Sequence, residues 1–209
     1  MEIRELSRID AVRIYERYMI NDFPEEELKP LSTIENLMEQ KVYRCYGLFH
    51  LKEMKAYAFL FCPQELSSIL IDFYAVVSSG RNKGYGSKFL RLLIDKFSKH
   101  DGFMAEIEKI DLAQDEEERK TREKRVRFYL KNGMHETNIT SRHFSAELGI
   151  MYLPLQKKYD AVRICREMKD IYHRMRPKKI LGEHTDLYIN PTILPNTLLD
   201  RKFIKTIWK

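Results

Sequence analysis

No apolar run in the 209-residue sequence approaches the roughly 20 residues that a bilayer-spanning helix needs. The opening Met1-Glu2-Ile3-Arg4-Glu5-Leu6 lacks the apolar region of a secretory signal. No membrane partner is therefore expected. Cysteine is scarce: Cys45, Cys62 and Cys165 are odd in number, far apart, and form neither a disulfide framework nor a metal-ligand spacing. Each reads as a small buried apolar residue, and a reducing cytoplasm fits best. His135 and His143 have no second metal-binding residue at suitable spacing, so no metal is predicted. The dinucleotide pattern G-x-G-x-x-G and the P-loop pattern G-x-x-x-x-G-K-[ST] are both missing. There is no internal repeat and no low-complexity linker.

What is present suits one domain with an appendage. Hydrophobic residues make up 44% and aromatics 11%, enough for a substantial core, and the 33% charged fraction mixes both signs. The net charge of +6 is uneven: residues 157–209 hold 13 Lys+Arg and 6 Asp+Glu, a local +7, leaving 24 and 25 for residues 1–156, a local −1. A nucleic-acid reading would have to rest on that basic segment. Its stripe of Arg163, Arg166, Lys169, Arg174, Arg176, Lys178 and Lys179 lacks interleaved surface aromatics and glycines, which makes nucleic acid a disfavoured partner.

Periodicity predicts a strand at Met1–Leu6, then a helix capped by Asp10 and running to about Tyr18, then a polar loop over Asn21–Glu27. A helix over Leu31–Gln40 precedes a hairpin of Tyr43–Leu51 and Ala56–Cys62. Ser68–Val77 is nearly continuously apolar and reads as a central strand. From Gly84 the period changes to helical, through Phe89, Leu90, Leu93 and Phe97. Phe103–Ile110 is a predicted strand with Glu106 and Glu108 on one face. Asp115–Asn132 is a charged helix stopped by Gly133; its acid-before-base pairs four residues apart mark a solvated face. Strands near Glu136–Ala146 and Ile150–Leu155 follow, with Pro154 at an edge or strand end. Tyr159–Met175 is a helix with Val162, Cys165, Met168, Tyr172 and Met175 on one side, and residues 180–209, with Pro191 and Pro195, are irregular.

One stretch carries chemistry. Arg81-Asn82-Lys83-Gly84-Tyr85-Gly86 follows a strand and opens an amphipathic helix. Glycine lets backbone approach a diphosphate, and the first N–H groups of a helix have no internal partner and point at the anion. Arg81, Lys83 and Lys88 add positive charge.

Asp72-Phe73-Tyr74-Ala75-Val76, then Arg81-x-x-Gly84-x-Gly86, then Phe128-Tyr129-x-x-x-Gly133-Met134 resembles the GNAT superfamily of acetyl-CoA-dependent N-acetyltransferases. The order of elements over residues 1–156 matches as well. The nearest likeness is to an uncharacterised bacterial subgroup, with its Phe-Pro-acidic loop (Phe23–Glu27), Glu-x-Glu strand (Glu106-Ile107-Glu108) and Arg-rich helix running into Phe-Tyr (Arg119–Tyr129). The resemblance implies a mixed α/β fold, the acyl-CoA N-acyltransferase (GNAT) fold, with a central, mostly antiparallel mixed sheet flanked by helices. It implies a transferase domain over residues 1–156, with residues 157–209 as a basic C-terminal helix and irregular tail. Acetyl-CoA is the implied co-substrate, and a small-molecule or peptide amine the implied acceptor, with a homodimer left open.

The resemblance also implies roles. The backbone of Val76 and Val77 pairs with the pantetheine arm, and one of their N–H groups polarises the thioester carbonyl. The loop Arg81, Asn82, Lys83, Gly84, Tyr85 and Gly86, with Ser87, holds the pyrophosphate. Tyr129 protonates the leaving thiolate. Glu106 or Glu108 is the general base, with Asp72 another candidate. The acidic loop Asp22–Glu27 flanks the acceptor, where it would attract a cation; the same carboxylates would equally suit the first turn of the next helix. Two positions depart from the family pattern: Arg122 stands where many relatives have an Asn that contacts pantetheine, and Met134 where Phe is usual. No Cys or Ser has an evident His partner in sequence, so the amine is expected to attack directly. The alternatives are a non-catalytic acyl-CoA-binding regulatory module and a nucleic-acid-associated protein acting through residues 157–209.

Overall fold

Ser7 starts the first helix. Its hydroxyl accepts the Asp10 N–H at 3.2 Å, and the Asp10 carboxylate returns to the Ser7 amide at 3.3 Å, a reciprocal capping box. Asp10, expected as the cap, is thus the third helical residue, because extended Ser7 satisfies the free amides first. A computed structural model of the chain describes residues 1–143, 146–175 and 185–190. The chain divides into two compact units, Met1–Phe103 and Met104–Lys209.

In the first unit, β1 (Glu2–Leu6), β2 (Tyr43–His50), β3 (Glu53–Phe61) and β4 (Ser68–Val76) pair antiparallel in that order. Helix α1 (Arg8–Ile14) widens into a π-helical turn at Tyr15–Met19 before α2 (Ile20–Asp22). A 3-10 turn spans Glu25–Glu27, and α3 (Leu31–Glu39) follows. The loop expected over Asn21–Glu27 is therefore partly helical. Helix α4 (Tyr85–Lys96) buries Gly86, Phe89, Leu90 and Leu93. The core of the unit is aromatic: Tyr43, Tyr57, Phe59, Phe61 and Phe73 are buried, and Tyr43, Phe59 and Phe73 are linked through ring contacts of 5.7 and 6.2 Å.

Two irregularities aim side chains. Between β3 and β4, Phe59 faces Phe73 and Leu60 faces Ile71, so Asp72 is the extra residue of a β-bulge. Between β2 and β3, Leu48 faces Ala56 and Phe49 faces Met54, which leaves Lys55 as the extra residue. The β2–β3 turn places Leu51 and Lys52 at φ 51° and 67°, the left-handed pair that matches the twist of a two-residue hairpin.

In the second unit, β5 (Gly102–Glu108, of which Met104–Glu108 belong here), β7 (Ala146–Pro154), β6 (His135–His143) and β8 (Thr185–Ile189) neighbour one another in that spatial order. Pro154 closes its strand, as a residue without a ladder donor must. Helix α5 (Glu116–Lys131) is capped by Asp115, whose carboxylate accepts the Glu118 N–H at 2.8 Å. Gly133, at φ 90°, closes its C-terminus.

Helix α6 (Ala161–Met175) packs on β6 and β8 through Ile164, Met168, Ile171, Tyr172 and Met175. Val162, expected on that face, is 40% exposed. The buried stripe runs through Ala161 and Ile164, and Val162 lies two residues, about 200° of helical rotation, before Ile164. β8 is a strand where irregular chain was expected. Leu187-Tyr188-Ile189 pairs with Ile139–Ser141 of β6, a tertiary contact that so short a segment does not advertise. Arg176, Lys178, Lys179, Pro191 and Pro195 lie outside the described residues. Among the described residues, no helix is long and apolar enough to cross a membrane.

Candidate functional site

The end of β4 and the start of α4 gather the first set of candidate residues. Val77 donates its N–H to the carbonyl of Lys55 at 3.0 Å and accepts the Gly80 N–H at 2.7 Å. Both of its backbone groups are therefore engaged within the first unit. Because N–H groups alternate along a strand, the Val76 N–H points away from β3. The Val76 carbonyl, on the same side, accepts Arg81 Nε at 3.3 Å.

The loop then turns through Asn82 at φ 61° and Gly84 at φ 77°. Gly84 is the N-cap of α4, and no side chain caps this helix. A Cβ built on Gly84 would meet nothing within 4 Å. The turn thus needs glycine for its left-handed backbone, and the space beside it is open. The helix begins at Tyr85, so the amides of Tyr85, Gly86 and Ser87 make up the first turn, where N–H groups lack intrahelical partners. Tyr74 holds that turn by donating its hydroxyl to the Gly86 carbonyl at 2.7 Å. His50 Nδ1 lies 3.2 Å from the Tyr85 hydroxyl.

The cations of the loop are not all free. Arg81 donates to Asp22 at 2.7 Å, and Lys83 donates to the Ser79 carbonyl at 2.9 Å. Asp22 also accepts the Tyr57 hydroxyl at 2.8 Å. Arg81 is thereby a brace between the strand end and the segment after α1. Asp72, re-aimed by its bulge, lies 2.8 Å from Lys29 and accepts the Tyr43 hydroxyl. Burial, then the Asp72 charge, pushes the Tyr43 phenol well above its ordinary value.

The second unit holds the other candidates. Tyr129 is 7% exposed, and its hydroxyl has no hydrogen-bond partner among the described residues. Burial raises its pKa to about 12; Arg125, one turn earlier, pulls it down, and Glu108 pushes it up. Glu108 is ion-paired with Arg125. Glu106 and Glu108 do share a face of β5, two residues apart and both half-buried. Glu106 accepts the hydroxyls of Ser141 at 2.6 Å and Tyr172 at 2.5 Å. Arg122, which replaces the family's Asn, is spent internally on the Lys109 carbonyl and on Glu118. Met134 is 1% exposed and fills the core where Phe is usual. Burial pushes the thiols of Cys62 and Cys165 up to about 11 and Cys45 well above the usual thiol range, which makes them poor nucleophiles.

Solved acetyltransferases share this architecture. A putative GNAT-family acetyltransferase from Bacteroides thetaiotaomicron superimposes with a TM-score of 0.65 at 14% identity, covering 88% of this chain and 100% of that one. The ribosomal-protein-S18-alanine N-acetyltransferase from Escherichia coli gives 0.54 at 19% identity, covering 76% and 96%. A putative acetyltransferase from Salmonella typhimurium, solved with acetyl-CoA, gives 0.54 at 18%, covering 77% and 96%. The chain has the GNAT acetyltransferase fold. No protein-family model matches the sequence, and no curated protein matches it either. At these identities the likeness is one of fold, and what the GNAT scaffold does here rests on its residues.

Several residues that shape these places escaped the sequence reading. Lys55 and Tyr57 sit on β3 in an unremarkable aromatic run, yet one engages the Val77 amide and the other anchors Asp22. Ser141 and Tyr172 meet Glu106 from 35 and 66 residues away. No local pattern signals contacts at such separations; only the pairing of strands and the packing of α6 create them.

Proposed function

We propose that this chain is an N-acetyltransferase that moves the acetyl group of acetyl-CoA directly to a primary amine. The observation that carries the reading is the uncapped start of α4 behind the open, left-handed turn at Gly84, following a strand whose last amide, Val76, faces away from its neighbour β3. An uncapped helix start next to open space suits a diphosphate. Two of the solved GNAT-fold structures are described as complexes with CoA and with acetyl-CoA, and others as acting on spermidine and on a ribosomal-protein alanine.

In this reading, the amides of Tyr85, Gly86 and Ser87 receive the pyrophosphate of the co-substrate, with Lys83 and Lys88 adding charge. Arg81 keeps the loop in shape. Val76, rather than the already engaged Val77, offers its N–H to the thioester oxygen as charge develops there. The neutral amine attacks the acetyl carbon, the C–N bond forms, and the C–S bond breaks. Glu106 takes the proton released by the ammonium form of the acceptor, directly or through water. Glu108 and Asp72 are each tied to a cation, so taking a proton would discharge the Arg125 or Lys29 pair. Tyr129, with its unpartnered hydroxyl, gives its proton to the leaving thiolate, and the proton that the new amide nitrogen sheds restores the phenol, directly or through water. The acceptor is proposed to be cationic, drawn by the exposed run Glu25–Glu27.

A thiol-release screen of amines with acetyl-CoA tests the activity, and calorimetry with CoA tests the binding. A chain that binds no CoA and releases no thiol with small amines, polyamines, peptide N-termini or lysine peptides is not this enzyme.

A further inference from the structure

Glu106 is held by two elements that the sequence gives no reason to connect. Its Oε1 accepts from Ser141 of β6 at 2.6 Å and from Tyr172 of α6 at 2.5 Å. Ser141 is fully buried and Tyr172 is 7% exposed. Tyr172 lies on the face of α6 that packs inward with Met168, Ile171 and Met175, so its ring is fixed before its hydroxyl reaches the carboxylate. Two hydroxyl donors on one oxygen of a carboxylate are charge-assisted hydrogen bonds, stronger than neutral ones. Together they hold Oε1 in place from two elements.

We propose that α6 belongs to the catalytic machinery: Tyr172, together with Ser141, is a positioning residue that orients the Glu106 carboxylate for proton removal from the acceptor amine. The inference rests on the acetyltransferase reading and adds to it a role for the C-terminal segment, which otherwise reads only as a basic appendage. Other carboxylates of the same unit have cation partners of their own. On its own strand, Glu108 is paired with Arg125 of α5, and Tyr129 lies one turn beyond Arg125. On α6, Glu167 is paired with Arg163 at 3.2 Å, and on β7, Glu147 is paired with Lys109 at 3.0 Å. The hydroxyl of Tyr172 brings α6 to Glu106.

Tyr172→Phe removes one oxygen and keeps the ring in its packing, which makes it the test; Ser141→Ala is its companion. The expected result in the full-length protein is an unchanged acetyl-CoA Kd and circular dichroism spectrum, with kcat down about tenfold, the cost of one hydrogen bond to a charged group. The acid limb of kcat/KM should move to higher pH, because a donor that favours the carboxylate has gone. In a Glu106→Gln background, Tyr172→Phe should add no further loss. The Glu106 carboxyl, followed by carbon-13 NMR with Glu106→Gln as the assignment control, should titrate at higher pH in Tyr172→Phe than in the parent. An unmoved Glu106 titration, or a loss in kcat that persists in full on the Glu106→Gln background, overturns the proposal. Should the NMR signal move while the parent releases no thiol with any amine, the transferase reading falls and the coupling of Tyr172 to Glu106 stands.

Discussion

The guanidinium of Arg81 lies 2.7 Å from the carboxylate of Asp22, fifty-nine residues earlier, and the same carboxylate accepts the hydroxyl of buried Tyr57 at 2.8 Å. The two contacts differ in worth. Arg81 is 57% exposed, so its ion pair contributes little to stability. Tyr57 is fully buried and would lose its acceptor. Asp22→Asn keeps an acceptor for Tyr57 and should cost under about 1 kcal/mol in urea denaturation. Asp22→Ala strands the hydroxyl and should cost about 1–3 kcal/mol. Equal losses for both variants would show that the Tyr57 contact carries no special weight.

Gly84 separates shape from charge in the proposed diphosphate site. Its φ of 77° penalises most side chains, but Asn and Asp tolerate the left-handed region, and a Cβ there has open space. Gly84→Asn should therefore fold and bind CoA within a fewfold of the parent. Gly84→Asp should bind at least tenfold more weakly, since a like charge then faces the diphosphate. Calorimetry on the pair decides, and matching affinities for Asn and Asp would remove the phosphates from this loop.

Tyr129 offers a kinetic and an equilibrium readout. Tyr129→Phe should leave CoA affinity unchanged and lower kcat by roughly ten- to a thousandfold, if its hydroxyl protonates the thiolate. The stability readout follows from burial, which raises its pKa from the ordinary 10.0 to about 12. A folded-state pKa above the unfolded one gives stability that is complete below pH 10 and lost as pH rises through about 12. Between those limits the parent should lose about 2–3 kcal/mol more than Tyr129→Phe in denaturant titrations. Parallel pH–stability curves would place the hydroxyl in water.

The legible part of this protein is what periodicity and glycine chemistry carry. The four strands of the first unit, α4 with its buried Phe89, Leu90 and Leu93, and α5 all stand within a few residues of where periodicity put them. The break at Gly84 was legible because the period changes there from strand to helix, while its left-handed backbone shows only in the fold. The bulges at Lys55 and Asp72 were not, since register is decided across strands and neither strand alone records the extra residue. For the same reason Val76 and Val77 looked equivalent in sequence, although Lys55 takes one amide and not the other. β8 and the contact of Tyr172 with Glu106 depend on where the C-terminal segment returns, which no window of sequence contains.

The acidic run after the first helix had two readings, and the fold weakens one. Glu25, Glu26 and Glu27 form their own 3-10 turn, while α3 starts at Leu31 behind Pro30, with no acidic residue in its first turn. The three carboxylates therefore do not sit at the positive end of that helix. They are exposed, so replacing all three with Gln should leave helix content unchanged and shift stability by no more than about 0.5 kcal/mol. If the run draws in a cationic acceptor, the same variant should raise KM for a polyamine or basic peptide several-fold at low ionic strength and leave KM for acetyl-CoA unaltered. The difference should fade as salt is added, because exposed charges are screened over about 10 Å at 0.1 M. A neutral amine should show no change at any ionic strength. An acceptor KM that ignores both the triple substitution and salt would assign acceptor choice to other residues, whereas a loss of helix content would restore the capping reading.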